Sequence, residues 1–150
     1  MALLDVLDEL SPSDRMRILA HAEPRKFVAD ELIIDECIEN RTVHFIMDGE
    51  VRVGTKAPTM ADADRFIVLA TLGVGNVIGE MTFLTHGVTS ARCTAIDNVS
   101  TLALDHRRLS ELIQTEPALA ARFYRSVAIT LARRLITSNE HAAQVSWSID

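Results

Sequence analysis

The side chains able to do chemistry gather in one stretch, Gly79-Glu80-Met81-Thr82-Phe83-Leu84, with Thr89-Ser90-Ala91-Arg92 beginning ten residues after the glycine. Gly79 follows a turn-like Gly73-Val74-Gly75-Asn76 run, and it can take backbone conformations closed to other residues. It therefore suits a sharp entry into a short helix. An acid in the first turn of that helix, Glu80, is favoured by the helix dipole whatever else it does. Free amides at such a start, helped by the Ser90 hydroxyl, could hold an anion weakly. Arg92 lies three residues beyond position 89, so in a strand it faces the opposite way. It either swings back toward the anion or serves as a surface or ion-pair residue.

Elsewhere the chemistry is sparse. His21, His44, His86, His106 and His141 form no H-x-H or H-x-x-x-H pair, so no metal site is expected. His44 reads as a hydrogen-bonded strand residue and His86 as a loop residue near the candidate site. No nucleophile sits in an elbow and no acid pair stands out, so no catalytic residue is assigned and no enzyme is expected. Cys37 and Cys93 lack metal-type spacing and read as reduced, buried thiols rather than a disulfide. His106-Arg107-Arg108 and Arg122, Arg125, Arg133 and Arg134 read as solvated helix faces.

The elements that position these residues follow from hydrophobic period. Leu3, Leu4, Leu7 and Leu10 suggest a first short helix, and Ser11-Pro12-Ser13-Asp14 starts a second that buries Met16, Ile18, Leu19 and Ala22. From Arg25 the period becomes two. Strands are expected at 26–29, 31–35, 42–47, 50–54, 66–70, 93–95 and 100–104, with a loop over 56–64. Asp48-Gly49, between two such runs, predicts a type I′ hairpin. Leu109, Leu112 and Ile113 mark a short helix ended by Glu116-Pro117, and 118–136 a long one. Gln144-Val145-Ser146-Trp147-Ser148-Ile149 alternates strictly. It reads as an added strand, as a lid carried by Trp147, or as a loose terminus.

With 150 residues, 48% hydrophobic and 24% charged, the chain is one soluble domain's worth. A net charge of -6 argues against broad contact with nucleic acid. No apolar run nears the roughly 20 residues of a membrane span, and the acidic N-terminus is unlike a secretory signal. A cytoplasmic protein without membrane contact is expected.

Phe45-Ile46-Met47-Asp48-Gly49-Glu50-Val51-Arg52-Val53, Leu72-Gly73-Val74-Gly75-Asn76-Val77-Ile78-Gly79-Glu80 and the stretch through Ala91 together resemble the cyclic nucleotide-binding domain family, over about residues 1 to 136. The resemblance implies an antiparallel β-roll, or jelly-roll barrel, flanked by N-terminal helices and two C-terminal helices. It implies that Gly79 allows close backbone approach and that Glu80 accepts from a ribose hydroxyl. Ser90 and Ala91 match a small pair that, in the family, follows an arginine contacting the cyclic phosphate. Thr89 occupies that arginine's position, a departure that weakens the expected site by about ten- to a hundredfold.

The ligand-binding residues expected are accordingly Gly79, Glu80, Met81, Thr82, Thr89, Ser90, Ala91 and Arg92. No cofactor is expected; the resemblance implies a regulatory domain that senses cAMP, cGMP or a related small phosphorylated ligand and signals through its C-terminal helices. A domain over 1–137 is followed by a tail over 138–150. The helix at 118–136, apolar on more than one side, predicts a homodimer, as in the family's transcription regulators. Those regulators append a DNA-binding helix-turn-helix, and this chain ends about a dozen residues past Ile136, so direct nucleic-acid contact is not expected. The rival expectation is a degenerate site on a module that works through a protein partner.

Overall fold

The computed structural model describes residues 10–56 and 66–149, with residues 141, 142 and 144–149 described by their backbone alone. The expected helix before Leu10 and most of the 56–64 loop lie outside the described residues. Ser11 caps α1 (Pro12–Leu19) by accepting the Asp14 amide at 3.1 Å, with Pro12 in the first turn, where no amide partner is needed. Ile18 is fully buried and Asp14 sits beside it, whereas Met16 is 74% exposed. Positions 14 and 18 share a helix face and 16 lies opposite, which corrects the expected burial of Met16.

Two four-stranded antiparallel sheets face each other as a roll. One orders β1 (Glu23–Phe27), β8 (Val99–Asp105), β3 (Thr42–Asp48) and β6 (Val77–Ile78); the other orders β2 (Leu32–Ile34), β7 (Arg92–Ala95), β4 (Val51–Lys56) and β5 (Phe66–Leu72). Strand β1 begins three residues earlier than its period suggested and contains Pro24, which an edge strand tolerates. The Asp48-Gly49 hairpin is not formed. β3 pairs with β8 and β6, while β4 pairs with β5 and β7. Only Gly49 takes a positive φ, +84°, and a Cβ there would lie 2.3 Å from the Asn98 carbonyl oxygen. The dipeptide is a corner that passes the chain from one sheet to the other.

Strand β3 shows how the core divides. Val43 and Phe45 enter a cluster with Ile18, Leu104, Leu109, Leu119, Phe123 and Val127 that binds the helices to the first sheet. Ile46, on the opposite face, joins Ile34, Val51, Ile78, Cys93 and Val99 inside the roll. His44 is also buried, with Nδ1 3.0 Å from Thr101 Oγ1, and burial brings its pKa down to about 4.

The chain then carries α2 (Glu80–Thr85) between β6 and β7, and closes with α3 (His106–Thr115) and α4 (Pro117–Ile149). Asp105 caps α3 by accepting the Arg107 amide at 2.8 Å. Helix α4 packs Leu119, Phe123 and Val127 on the core and continues through 149, so the 144–149 segment is helical rather than an added strand. The Trp147 side chain lies outside the described residues. Helix α1 is pinned to α4 by Arg122, whose Nε and Nη2 donate to Asp14 at 2.7 and 3.0 Å, and Arg17 pairs with Glu116 at the α3–α4 junction. Both cysteines are free thiols. Cys93 is buried as expected, but Cys37 is exposed, on a loop where its φ is +60°.

Candidate functional site

Helix α2 begins at a left-handed backbone turn. Gly79 holds φ at +85°, and a Cβ there would fall 2.2 Å from the Thr42 carbonyl oxygen and 2.8 Å from Asn40 Nδ2. Glycine is therefore required twice over, by conformation and by space. The His106 ring braces the same point, with Nε2 3.2 Å from the Gly79 carbonyl oxygen and its edge against Phe83. Burial lowers the pKa of His106, which favours a neutral ring donating to that carbonyl. Thr82 donates to the same oxygen at 3.1 Å and accepts from Asn40.

A cavity of about 190 Å³ opens between this turn and the second sheet. Gly79, Glu80, Met81, Thr82, Thr89, Ser90 and Ala91 all line it, together with apolar side chains from Ile34, Val53, Leu72 and Val88. The sequence thus brings seven of its eight candidate residues to one hollow. Arg92 is the exception. Its Nε donates to Asp35 at 3.0 Å, a second nitrogen approaches Glu36 at 3.8 Å, and the guanidinium lies over the Phe66 ring. Strand alternation turns it away from the cavity, and Asp35 and Glu36 hold it there.

Glu80 is only 5% exposed. Its partner is Arg134 of α4, whose Nη1 donates to Oε1 at 3.0 Å while Nη2 donates to the Val77 carbonyl oxygen at 3.1 Å. Arg134 also lines the cavity. Desolvation outweighs this partner and raises the Glu80 pKa. The same buried setting pushes the neighbouring Cys93 thiol up to about 12. Thr89, 8% exposed, spends its hydroxyl on the fold: it donates to the Asp35 carbonyl oxygen at 2.6 Å and accepts from the Ile38 amide at 3.2 Å. Backbone bonds between Thr89 and the 37–38 amide and carbonyl complete the clasp.

Arg134 is the residue that sequence reasoning passed over. It was grouped with the solvated arginines of the long helix, because periodicity along α4 says nothing about an acid 54 residues upstream. The signal available was its place one turn past the apolar stripe Phe123, Val127 and Leu131, on the flank that faces the roll. Among the described residues no group of three or more His, Cys, Asp or Glu side chains could hold a metal ion. Nor is any described helix long and apolar enough to cross a membrane.

Residues 24–116 match the family model of the cyclic nucleotide-binding domain. Over 148 residues the chain is 23% identical to a CRP-like cAMP-activated global transcriptional regulator of Mycobacterium tuberculosis, covering 99% of this chain and 62% of that protein. The chain thus spans less than two thirds of that relative's length. It is 29% identical over 90 residues to cyclic GMP-binding protein D of Dictyostelium discoideum, covering 59% of this chain and 7% of that one. The fold superposes on a cyclic nucleotide-binding domain from Methylobacillus flagellatus with a TM-score of 0.83, at 20% identity, over 93% of this chain and 80% of the other. Taken with the β-roll, the glycine turn and the family match over 24–116, these likenesses give one assignment: the chain belongs to the cyclic nucleotide-binding domain family.

Proposed function

We propose that the protein is a regulatory domain that binds a cyclic nucleotide, cAMP or cGMP, in the cavity beside α2 and signals through its C-terminal helices. The observation that carries this reading is the buried carboxylate of Glu80, which borders the cavity and is tied directly to α4 by Arg134. A ligand hydroxyl that engages Glu80 competes with a contact made by the output helix. Occupancy and helix position are then linked, and the ligand biases a two-position element. Tyr124, Leu135 and Ile136, exposed on α4 by 45%, 62% and 57%, supply the apolar face through which two copies pair in this reading.

A second reading has one specific observation in its favour. The Thr89 hydroxyl is consumed by Asp35 and Ile38 and Arg92 by Asp35, so neither greets a phosphate. A site so depleted fits a dimerising module that works through protein contacts. Isothermal titration with cAMP and then cGMP to millimolar concentration separates the two. Binding that weakens ten- to a hundredfold in Glu80→Ala is expected. Silence from both nucleotides, with the protein folded and dimeric by light scattering, would leave the second reading standing.

A further inference from the structure

Resting on that reading, we propose that Arg134 is the residue that recognises the charged part of the ligand, and that it does so by exchanging the carboxylate of Glu80 for the ligand's anion. The argument starts from the charges of the cavity. Among its lining side chains there is one acid, Glu80, and one cation, Arg134, and they are paired with each other at 3.0 Å. The next cation, Arg92, is held outside the cavity by Asp35 and Glu36. The Thr89 hydroxyl already has both an acceptor and a donor. An anion entering this hollow therefore meets one side chain of opposite charge.

The guanidinium has capacity left for it. Nη1 and Nη2 serve Glu80 and Val77, while Nε is buried and no acceptor among the described residues takes its proton. A guanidinium carries five donors in a planar fork, and paired phosphate oxygens match that fork as well as a carboxylate does. Space argues in the same direction. The cavity of about 190 Å³ is smaller than the roughly 300–1,000 Å³ of ordinary small-molecule pockets, and Arg134 forms part of its wall. A ligand of nucleotide size enters by moving that side chain. Once Arg134 turns to the anion, Glu80 loses its cation and becomes available to a ligand hydroxyl. One exchange thus passes charge from cassette to ligand and pulls on α4, where Arg134 is rooted.

The test compares cyclic AMP with adenosine, which shares the base and the ribose 2′-hydroxyl but has no phosphate, by calorimetry on the wild type, Glu80→Gln and Glu80→Gln/Arg134→Gln. The ratio of the two affinities isolates phosphate recognition from everything Glu80 does. Cyclic AMP is expected to bind the wild type ten- to a hundredfold tighter than adenosine. The ratio is expected to hold or rise in Glu80→Gln, where Arg134 is released, and to fall to about twofold or less in the double variant. A double variant that melts like the wild type and keeps the full ratio overturns the inference while leaving nucleotide binding intact. So does a wild type with no preference. The double variant removes acid and cation together, so it buries no lone charge. Should it nonetheless fail to fold, Arg134→Lys decides, since it keeps the charge and loses the fork. A severalfold drop in ratio supports the inference and an unchanged ratio overturns it. A wild type that binds neither cyclic AMP nor cyclic GMP overturns the functional reading and the inference with it.

Discussion

Helix α4 carries two arginines that each meet a buried carboxylate, Arg122 on Asp14 and Arg134 on Glu80. Both acids have little direct solvent contact, 3% and 5% exposed, but Asp14 lies near the surface beside a half-exposed Arg122 and Glu80 lies deep. Their surroundings differ. Asp14 receives two guanidinium bonds and further bonds from Ser11, and Arg122 above all holds its pKa below the ordinary 3.8. Glu80 receives one guanidinium bond and one from its own amide and borders a cavity, and desolvation lifts its pKa above the ordinary 4.5. The first pair is a pin with its hydrogen-bonding capacity spent. The second is a contact held short of completion, which is where a ligand can intervene. Arginine–carboxylate pairs on one helix thus serve anchorage near its start and responsiveness at its middle.

The sharpest way to break this comparison is to remove each arginine. Arg122→Ala takes the cation from a carboxylate whose pKa is set low, and its melting temperature at pH 7 is expected to fall by about 5 °C, water replacing part of what the half-exposed guanidinium gave. Arg134→Ala is expected to fall by roughly half as much, because Glu80, already shifted upward, relieves itself by taking a proton. Equal or reversed losses in thermal melts would mean that the two pairs are alike after all. A smaller effect is expected at the cavity's edge. Thr89→Val, a near-isosteric change, leaves the Ile38 amide short of an acceptor and should cost about 1–2 kcal/mol in urea denaturation. It should change nucleotide affinity little, since that hydroxyl faces the fold.

The finest discrimination comes from pH. Asp14 has a lowered pKa, so its stabilisation is present above 3.8 and is lost as pH falls through the lower folded value. Glu80 has a raised one, so its contribution is full below 4.5 and drains away as pH climbs through the higher folded value. Glu80→Gln should stay within about 1 kcal/mol of the wild type. Its difference from the wild type should move in the variant's favour from pH 4 to 7. Asp14→Asn should be penalised in full at neutral pH and recover only below pH 3.8. Chemical denaturation across that range checks both signs at once.

What the sequence disclosed, and what it withheld, follows the reach of each interaction. Gly79 and Glu80 were legible through the family's pattern running from Phe45 to Ala91, since a Gly-Glu pair alone carries no information. The strands were legible through their period, and the apolar stripe of α4 through its own. Asp48-Gly49 misled because a turn signal describes four residues, whereas hairpin pairing depends on which partners the two strands find elsewhere. Here they find β8 and β6, and β5 and β7. Met16 misled because an apolar residue was credited to the wrong face of a two-turn helix. Arg134 escaped because its meaning lies in an acid on another element, and no window along α4 contains it. The resemblance located the missing phosphate cation at Thr89. It took the fold to show that Thr89 is committed to Asp35 and Ile38, and that a cation reaches the cavity from a helix instead.

The corner at Asp48-Gly49 also governs the order in which the molecule can be made. Because the chain changes sheet there, β3 finds no lasting neighbour in β4, and its principal partner β8 ends at Asp105. Strand β1 likewise waits for β8 and β2 for β7, whereas β4 pairs early with β5 and keeps only its other edge open until β7. On the ribosome, then, β1, β2 and β3 are synthesised well before the strands that chiefly bind them. Folding of the roll is a late, nearly simultaneous closure dominated by distant pairings, a topology that folds slowly. Until β7 and β8 emerge, the open edges of β3 and β4 are the part of the nascent chain most in need of shelter from other strands.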